Sequence, residues 1–318
     1  MWPCVLERLR IGLLWLALCP LGGLAGQSVW VWEEDALSWL DQPHKGEEAA
    51  LWLRQQGFER VYLYAGAHLD QDPLQDRPQA YSQLLSSLHR HGLEVHALLG
   101  TGYLRTEKYI LPENRERARA MVQRVLDYNH RSLASERFAG IHLDIEPHVF
   151  DDWSSRRQEY LKMWLRVSEM WMAMKRQSGQ HLTVAPAIAF WLDGIEVEHA
   201  GVVKPASEHL QDIYDHVVLM DYRQRAEGPD GIISHGQQEV EYGRKIGKEV
   251  WLGLEFSPNE MAKITFDGVT PARAGEQVQR VLHAFRQDRG FGGIAVHHYS
   301  SYRRWLRRHG VEHHFTLF

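Results

Sequence analysis

The chain has 318 residues, 44% of them hydrophobic and 24% charged, with a formal net charge of −5. That length supports one large domain with a substantial core. The acidic balance provides no field for nucleic acid, which is excluded as a partner.

At the N-terminus, Arg8 and Arg10 precede the apolar run 11–18, which leads into Cys19-Pro20 and the small residues up to Gly26. This is the layout of a secretory signal peptide, with an apolar run too short to span a membrane. Residues 1–26 are therefore expected to be removed, leaving a barrel domain over 27–318 that is periplasmic or secreted and has no stable membrane insertion. Leu18 is bulky where a lipobox takes a small residue, so lipidation of Cys19 is not expected. Cys4 and Cys19 are the two cysteines, and both lie in this leader. The mature chain is left without disulfides, which suits a periplasm better than a small stapled scaffold.

Beyond the leader, apolar runs of strand length alternate with helical periodicity. The expected strands cover 29–32, 60–65, 94–100, 140–146, 181–187, 216–222, 249–255 and 293–299. The expected helices between and after them cover 46–56, 78–91, 114–130, 153–178, 206–214, 236–246, 274–288 and 302–308. Eight such units predict parallel pairing and an α/β fold, a single (β/α)8 TIM barrel. An open doubly wound sheet is the alternative, but no glycine-rich fingerprint follows the first strand. Within helix 153–178, Met163, Trp164, Val167, Met170, Trp171 and Met174 recur at helical spacing and should pack on the barrel. The arginines at 303, 304, 307 and 308, like those at 115, 117 and 119, fit solvated helix faces.

The fourth strand carries the strongest chemical signal. In 140–146, Ile141, Leu143 and Ile145 alternate with His142, Asp144 and Glu146, so the three titratable groups share one face. Two carboxyls at that spacing cannot both ionise cheaply, which keeps a proton available for general acid chemistry. Barrel active sites sit at the C-terminal ends of the strands. There the sequence sets Trp32-Glu33, Tyr64 with His68 and Asp70, the loop to Tyr103, Asp144 with Glu146 and His148, Trp191, Asp221-Tyr222-Arg223, Glu255, and His297-His298-Tyr299. His142, Asp144 and Glu146 with His297 or His298 would supply enough donors for a metal, yet no compact ligand motif accompanies them. No metal or other cofactor is expected.

These motifs resemble those of glycoside hydrolase family 18, the chitinases and endo-β-N-acetylglucosaminidases. That family has Asp-Gly-x-Asp-x-Asp-x-Glu along its fourth strand, where this chain reads Ala139-Gly140-Ile141-His142-Leu143-Asp144-Ile145-Glu146. The resemblance implies that Glu146 is the proton donor and Asp144 its supporting partner, while Ala139 and His142 stand at the first two Asp positions. Met220-Asp221-Tyr222-Arg223 resembles the family's Met-x-Tyr-Asp, which implies that Tyr222 holds a substrate acetamido group; Arg223 replaces the Asp. The eighth strand opens Gly292-Gly293-Ile294 as in the family, with His297 at the place of a sugar-stacking Trp.

The clan A retaining glycosidases offer a second pattern, with one Glu ending the fourth strand and another the seventh. Glu146 and Glu255 fit it, although Ile145 stands where that clan has Asn. The expectation is an exported glycoside hydrolase acting on a polysaccharide or oligosaccharide that contains N-acetylhexosamine. Its catalytic residues would be Glu146, Asp144 and Tyr222. Trp32, Tyr64, His142, Trp191, Asp221, Glu255, His297 and Tyr299 would bind substrate. The alternatives are a barrel that binds carbohydrate without cleaving it and a clan A-type enzyme using Glu146 and Glu255.

Overall fold

The structure, a computed structural model, describes residues 25–67, 71–102 and 104–317. Most of the expected leader, with His68, Asp70 and Tyr103, lies outside the described residues.

The barrel half built first in the chain consists of β1 (Gly26–Val31), β2 (Arg60–Tyr64), β3 (Glu94–Leu99), β4 (Gly140–Leu143) and β5 (Thr183–Ala189). Helices α1 (Glu33–Asp41) and α2 (Pro43–Gln55) follow β1, the short α3 (Pro73–Asp76) and α4 (Pro78–Arg90) follow β2, and α5 (Arg115–Arg131) and α6 (Trp153–Ser178) follow β3 and β4. After β5, an antiparallel hairpin of β6 (Glu196–His199) and β7 (Val202–Pro205) interrupts the rhythm before α7 (Ala206–Ile213). The rest is β8 (Val217–Met220), α8 (Ile232–Ile246), β9 (Val250–Glu255), α9 (Pro271–Phe285), β10 (Phe291–His297) and α10 (Tyr299–Arg308).

Eight strands close into an all-parallel barrel in the order β1-β10-β9-β8-β5-β4-β3-β2. This is the (β/α)8 fold that the alternation predicts. The first strand begins at Gly26, the last residue assigned to the leader, which pairs with Gly293.

Strand alternation sorts the side chains into two layers. Val29, Val31, Val61, Leu63, Ile141, Leu143, Leu252, Leu254 and Val296 face the helices in one continuous core. Trp30, Tyr62, Leu98, Val218, Trp251 and Ala295 form a separate cluster inside the barrel. The interior accepts two tryptophans because Ala185, Ala187, Gly253 and Ala295 occupy inward positions on neighbouring strands, so large and small side chains interdigitate. On α6, Trp164, Val167, Trp171 and Met174 are buried as expected, with Met163 and Met170 half-buried beside them. The Trp171 indole N–H donates to the Ala118 carbonyl of α5 at 2.8 Å, and burial of such a side chain contributes about 3 kcal/mol.

The N-terminal end of the barrel is closed by polar groups. Arg60 lies over the Trp251 ring at 4.5 Å, pairs with Glu94 at 2.9 Å, and approaches His216 at 3.3 Å. His96 reaches the same Glu94 at 2.6 Å. Burial depresses His96 and His216 below the usual histidine range, so these rings line the interior as neutral groups.

On α10, Arg303 and Arg307 both pair with Glu312, and Arg308 pairs with Asp267. The arginines at 115, 117 and 119 are exposed. No helix among the described residues is long and apolar enough to cross a membrane.

Candidate active site

The loop that carries the two acids is fixed from β3 and from a short 3-10 turn, Thr106–Ile110. The Asp144 backbone N–H donates to the Leu99 carbonyl at 2.7 Å. The Thr106 hydroxyl donates to the Asp144 carbonyl and accepts from the Glu146 backbone N–H at 3.0 Å. Gly100 has φ +127°, a conformation disfavoured for L-residues, and a Cβ there would lie 2.1 Å from the Asp144 oxygen. Backbone and hydroxyl together clamp the Asp144–Glu146 segment although regular pairing of β4 ends at Leu143.

Beyond that point the alternation persists: Ile145 packs in the helix-facing core while Asp144 and Glu146 turn to the barrel axis. Burial, then the charge of Glu146, holds the Asp144 carboxyl well above its usual range. Glu146 is also raised, mainly by burial, with Glu107 adding to the rise. The pair therefore retains a proton at pH values where isolated carboxyls are ionised. Glu107, buried and paired with Arg105 at 2.9 Å, comes from the 3-10 turn and has no place in a reading of strand ends.

A third carboxyl faces this pair in the opposite state. Glu255 and His297 are register partners on adjacent strands β9 and β10, which puts His297 Nδ1 2.8 Å from Glu255 Oε2. The Ser257 backbone N–H donates to Glu255 Oε1 at 2.5 Å. Burial works against the anion, but these two donors outweigh it and hold Glu255 below the usual glutamate range. On the other side of the ring, the Trp32 indole N–H donates to His297 Nε2 at 3.0 Å. Tyr222 packs against His297 with ring centroids 5.6 Å apart. Burial, then Glu255, Asp144 and Glu146, push its hydroxyl well above its ordinary pKa, so it remains a donor.

Glu146, Asp144, Tyr222, Glu255, His297 and Trp32 thus converge at the C-terminal mouth. Trp191 sits at the rim in a half-buried aromatic group, its ring 5.3 Å from His148 and 6.1 Å from Trp153.

Four expected substrate-binding side chains lie elsewhere. His142 has no exposed surface; it accepts from the Trp30 indole at 3.0 Å and stacks on Tyr62 at 4.0 Å, one layer below the acids. Tyr64 is 1% exposed. Asp221 points opposite to Tyr222, as consecutive residues must, and accepts from His235 of α8 at 3.0 Å; burial raises it to about 6. Tyr299 is the first residue of α10 rather than the end of a strand, and it packs against Trp39 and Trp52 with Arg303 on its hydroxyl. Among the described residues, no group of three or more His, Cys, Asp and Glu side chains is arranged to hold a metal ion.

A GH18 chitinase from Cycas revoluta, solved with (GlcNAc)3, superposes with a TM-score of 0.56 at 11% identity over 91% of this chain and 99% of that one. The fold is similar to the barrel of a family 18 chitinase. A class V chitinase from Nicotiana tobaccum gives a TM-score of 0.54 at 13% identity, covering 92% of this chain and 99% of its own. An exo-β-1,4-mannosidase from Opitutaceae bacterium strain TAV5 gives 0.55 at 13% identity, with 92% of this chain and 56% of that chain covered. No family model matches the sequence, and no curated protein matches it. At these identities the likeness is one of barrel architecture.

Proposed function

We propose that this chain is an exported glycoside hydrolase that cleaves a glycan containing N-acetylhexosamine, with Glu146 as proton donor. The observation that carries the proposal is the opposition of charge states at the mouth: Asp144 and Glu146 are raised as a pair, whereas Glu255 across the site is lowered. Carboxyls whose environments push their pKa values apart divide into acid and base or nucleophile. The binding of (GlcNAc)3 by the Cycas chitinase supports the sugar class.

In this reading Glu146 delivers its proton to the glycosidic oxygen as the bond to C1 breaks. Asp144 shares that proton with Glu146 until it is transferred to the leaving oxygen. The Tyr222 hydroxyl holds the substrate's acetamido group so that its carbonyl oxygen attacks C1, the substrate-assisted exception to the two-carboxylate scheme. Water then opens the intermediate, with Glu146 now acting as base.

A second reading makes Glu255 the nucleophile of a double displacement. It is favoured by the ionised state that His297 and Ser257 impose on that carboxyl.

Purified protein is to be screened against glycan fragments, and Glu146→Gln compared with wild type on the substrate found. The variant should lose about 10²–10⁴-fold in kcat. Its activity should also lose the basic limb, because the raised Glu146 keeps its proton as pH climbs past the ordinary 4.5. Full turnover by Glu146→Gln would overturn the assignment.

A further inference from the structure

We infer that Trp32 and His297 are positioning residues that lock Glu255 as a permanent carboxylate at the mouth, His297 being a neutral imidazole with its proton on Nδ1. The inference rests on the functional reading above, since it concerns the anionic half of that site.

The argument is one of donors and acceptors. An indole nitrogen can only donate. Trp32 Nε1 lies 3.0 Å from His297 Nε2, so that nitrogen must present its lone pair. This excludes both the imidazolium and the Nε2–H tautomer, and the single ring proton is left on Nδ1. Nδ1 is 2.8 Å from Glu255 Oε2 and donates to it. The other oxygen already accepts the Ser257 backbone N–H at 2.5 Å. Each carboxylate oxygen thus faces an N–H, and the anion is the state that satisfies both donors.

The three residues come from adjacent strands. Glu255 ends β9, its register partner His297 ends β10, and Trp32 directly follows β1, which pairs with β10 through Val29 and Val296. Strand register, rather than loop conformation, aligns the chain of donors. Burial alone does not explain the contrast with Asp144 and Glu146; the two N–H donors do. The Glu255 side chain is only 11% exposed, yet it stays charged where those two gain protons. The other titratable groups around it are the Tyr222 hydroxyl and His298, the latter lowered to about 4, mainly by burial. Neither supplies a positive charge that could do the work of the His297 donor. Under the substrate-assisted route, the fixed anion stabilises positive charge developing at C1; under double displacement, it attacks C1.

Nitrogen-15 NMR of the wild-type histidines gives a test that needs no substrate. The His297 ring should show a protonated Nδ1 and an unprotonated Nε2, and Trp32→Phe should create a population with Nε2 protonated. An Nε2–H tautomer in wild type, or a ring unchanged in Trp32→Phe, overturns the inference.

Activity supplies the second readout. His297→Leu should move the acidic limb of kcat/KM upward by about one pH unit, and His297→Gln, whose amide can still donate to Glu255, should move it less. A limb that stays in place in both variants counts against the donor chain. If no glycan is cleaved but the expected tautomer is found, the functional reading fails and the donor chain stands. Hydrolysis with the wrong tautomer has the reverse meaning.

Discussion

Gly100→Ala tests whether the position of the acid pair depends on the close approach of β3 to the Asp144 peptide. A Cβ at residue 100 would lie 2.1 Å from the Asp144 oxygen and 2.7 Å from its carbonyl carbon. A relaxed carbon–oxygen contact is ~3.3 Å, so the two segments must separate by about 1.2 Å, the difference from the 2.1 Å contact. Because the Thr106 hydroxyl ties the Asp144 carbonyl to the Glu146 N–H, the displacement passes directly to the peptide that carries the acid. A misplacement of about 1 Å costs about 10²-fold in rate. The clash and the φ of +127° together should lower stability by about 2–5 kcal/mol. Gly247→Ala is the control: its φ is +72°, but no atom lies within 4 Å of the added methyl. It should lose about 1 kcal/mol of stability and retain full kcat. The assay is kcat on the identified glycan beside urea unfolding of both variants. Wild-type kcat in Gly100→Ala, or an equal loss of activity in Gly247→Ala, would refute the reasoning.

The two mechanisms separate on a pair of variants: substrate assistance makes Tyr222→Phe more damaging than Glu255→Gln, and double displacement reverses the order. A dead Glu255→Gln enzyme beside a near-normal Tyr222→Phe enzyme rejects the preferred route. Glu239 of α8 is buried, and burial, followed by the charge of Asp193, raises it from 4.5 to about 8. The folded state binds the proton more tightly, so stability is full below about pH 4.5 and falls as pH rises toward 8. Glu239→Gln should flatten that slope and raise stability at pH 8 by at most about 5 kcal/mol; urea midpoints at pH 5 and pH 8 that leave the slope unchanged would count against it. The proposed export requires mature protein from the periplasm or medium to begin near Gly26 or Gln27 on N-terminal sequencing, and an intact Met1 would contradict it.

The barrel was legible because its strands are short, their outward residues are aliphatic, and each is followed by a helical period. Helix 153–178 has the expected limits. Helices α1 and α3 and the β6–β7 hairpin escaped. Glu33 read as a rim group at the end of the first strand, and it opens helix α1. The hairpin of β6 and β7 is short and mostly exposed, with Val197 its one buried residue, so no alternating apolar face betrays it. At the site, Asp144 and Glu146 were legible through period-two alternation, and Glu255 and His297 through their places at strand ends. Tyr299 was misplaced because β10 stops at His297, after which the chain turns into α10. Asp221 was misplaced for a simpler reason: it cannot share a face with Tyr222. Thr106 and Glu107 arise from a turn between elements, where spacing carries no signal of proximity to β4.

The stack of Trp30, Tyr62, His142, Leu98, Val218 and Trp251 plugs the barrel beneath the carboxyls, and the Arg60–Glu94 cluster seals its far end. The molecule is therefore a cup and not a tube. Whatever reaches Glu146 and Glu255 comes from a single side, and a polymer can only be laid over the opening, never threaded through. Incoming water and departing fragments share that one entrance, so occupancy above the rim, set by side chains such as Trp191, would govern how fast the cup empties.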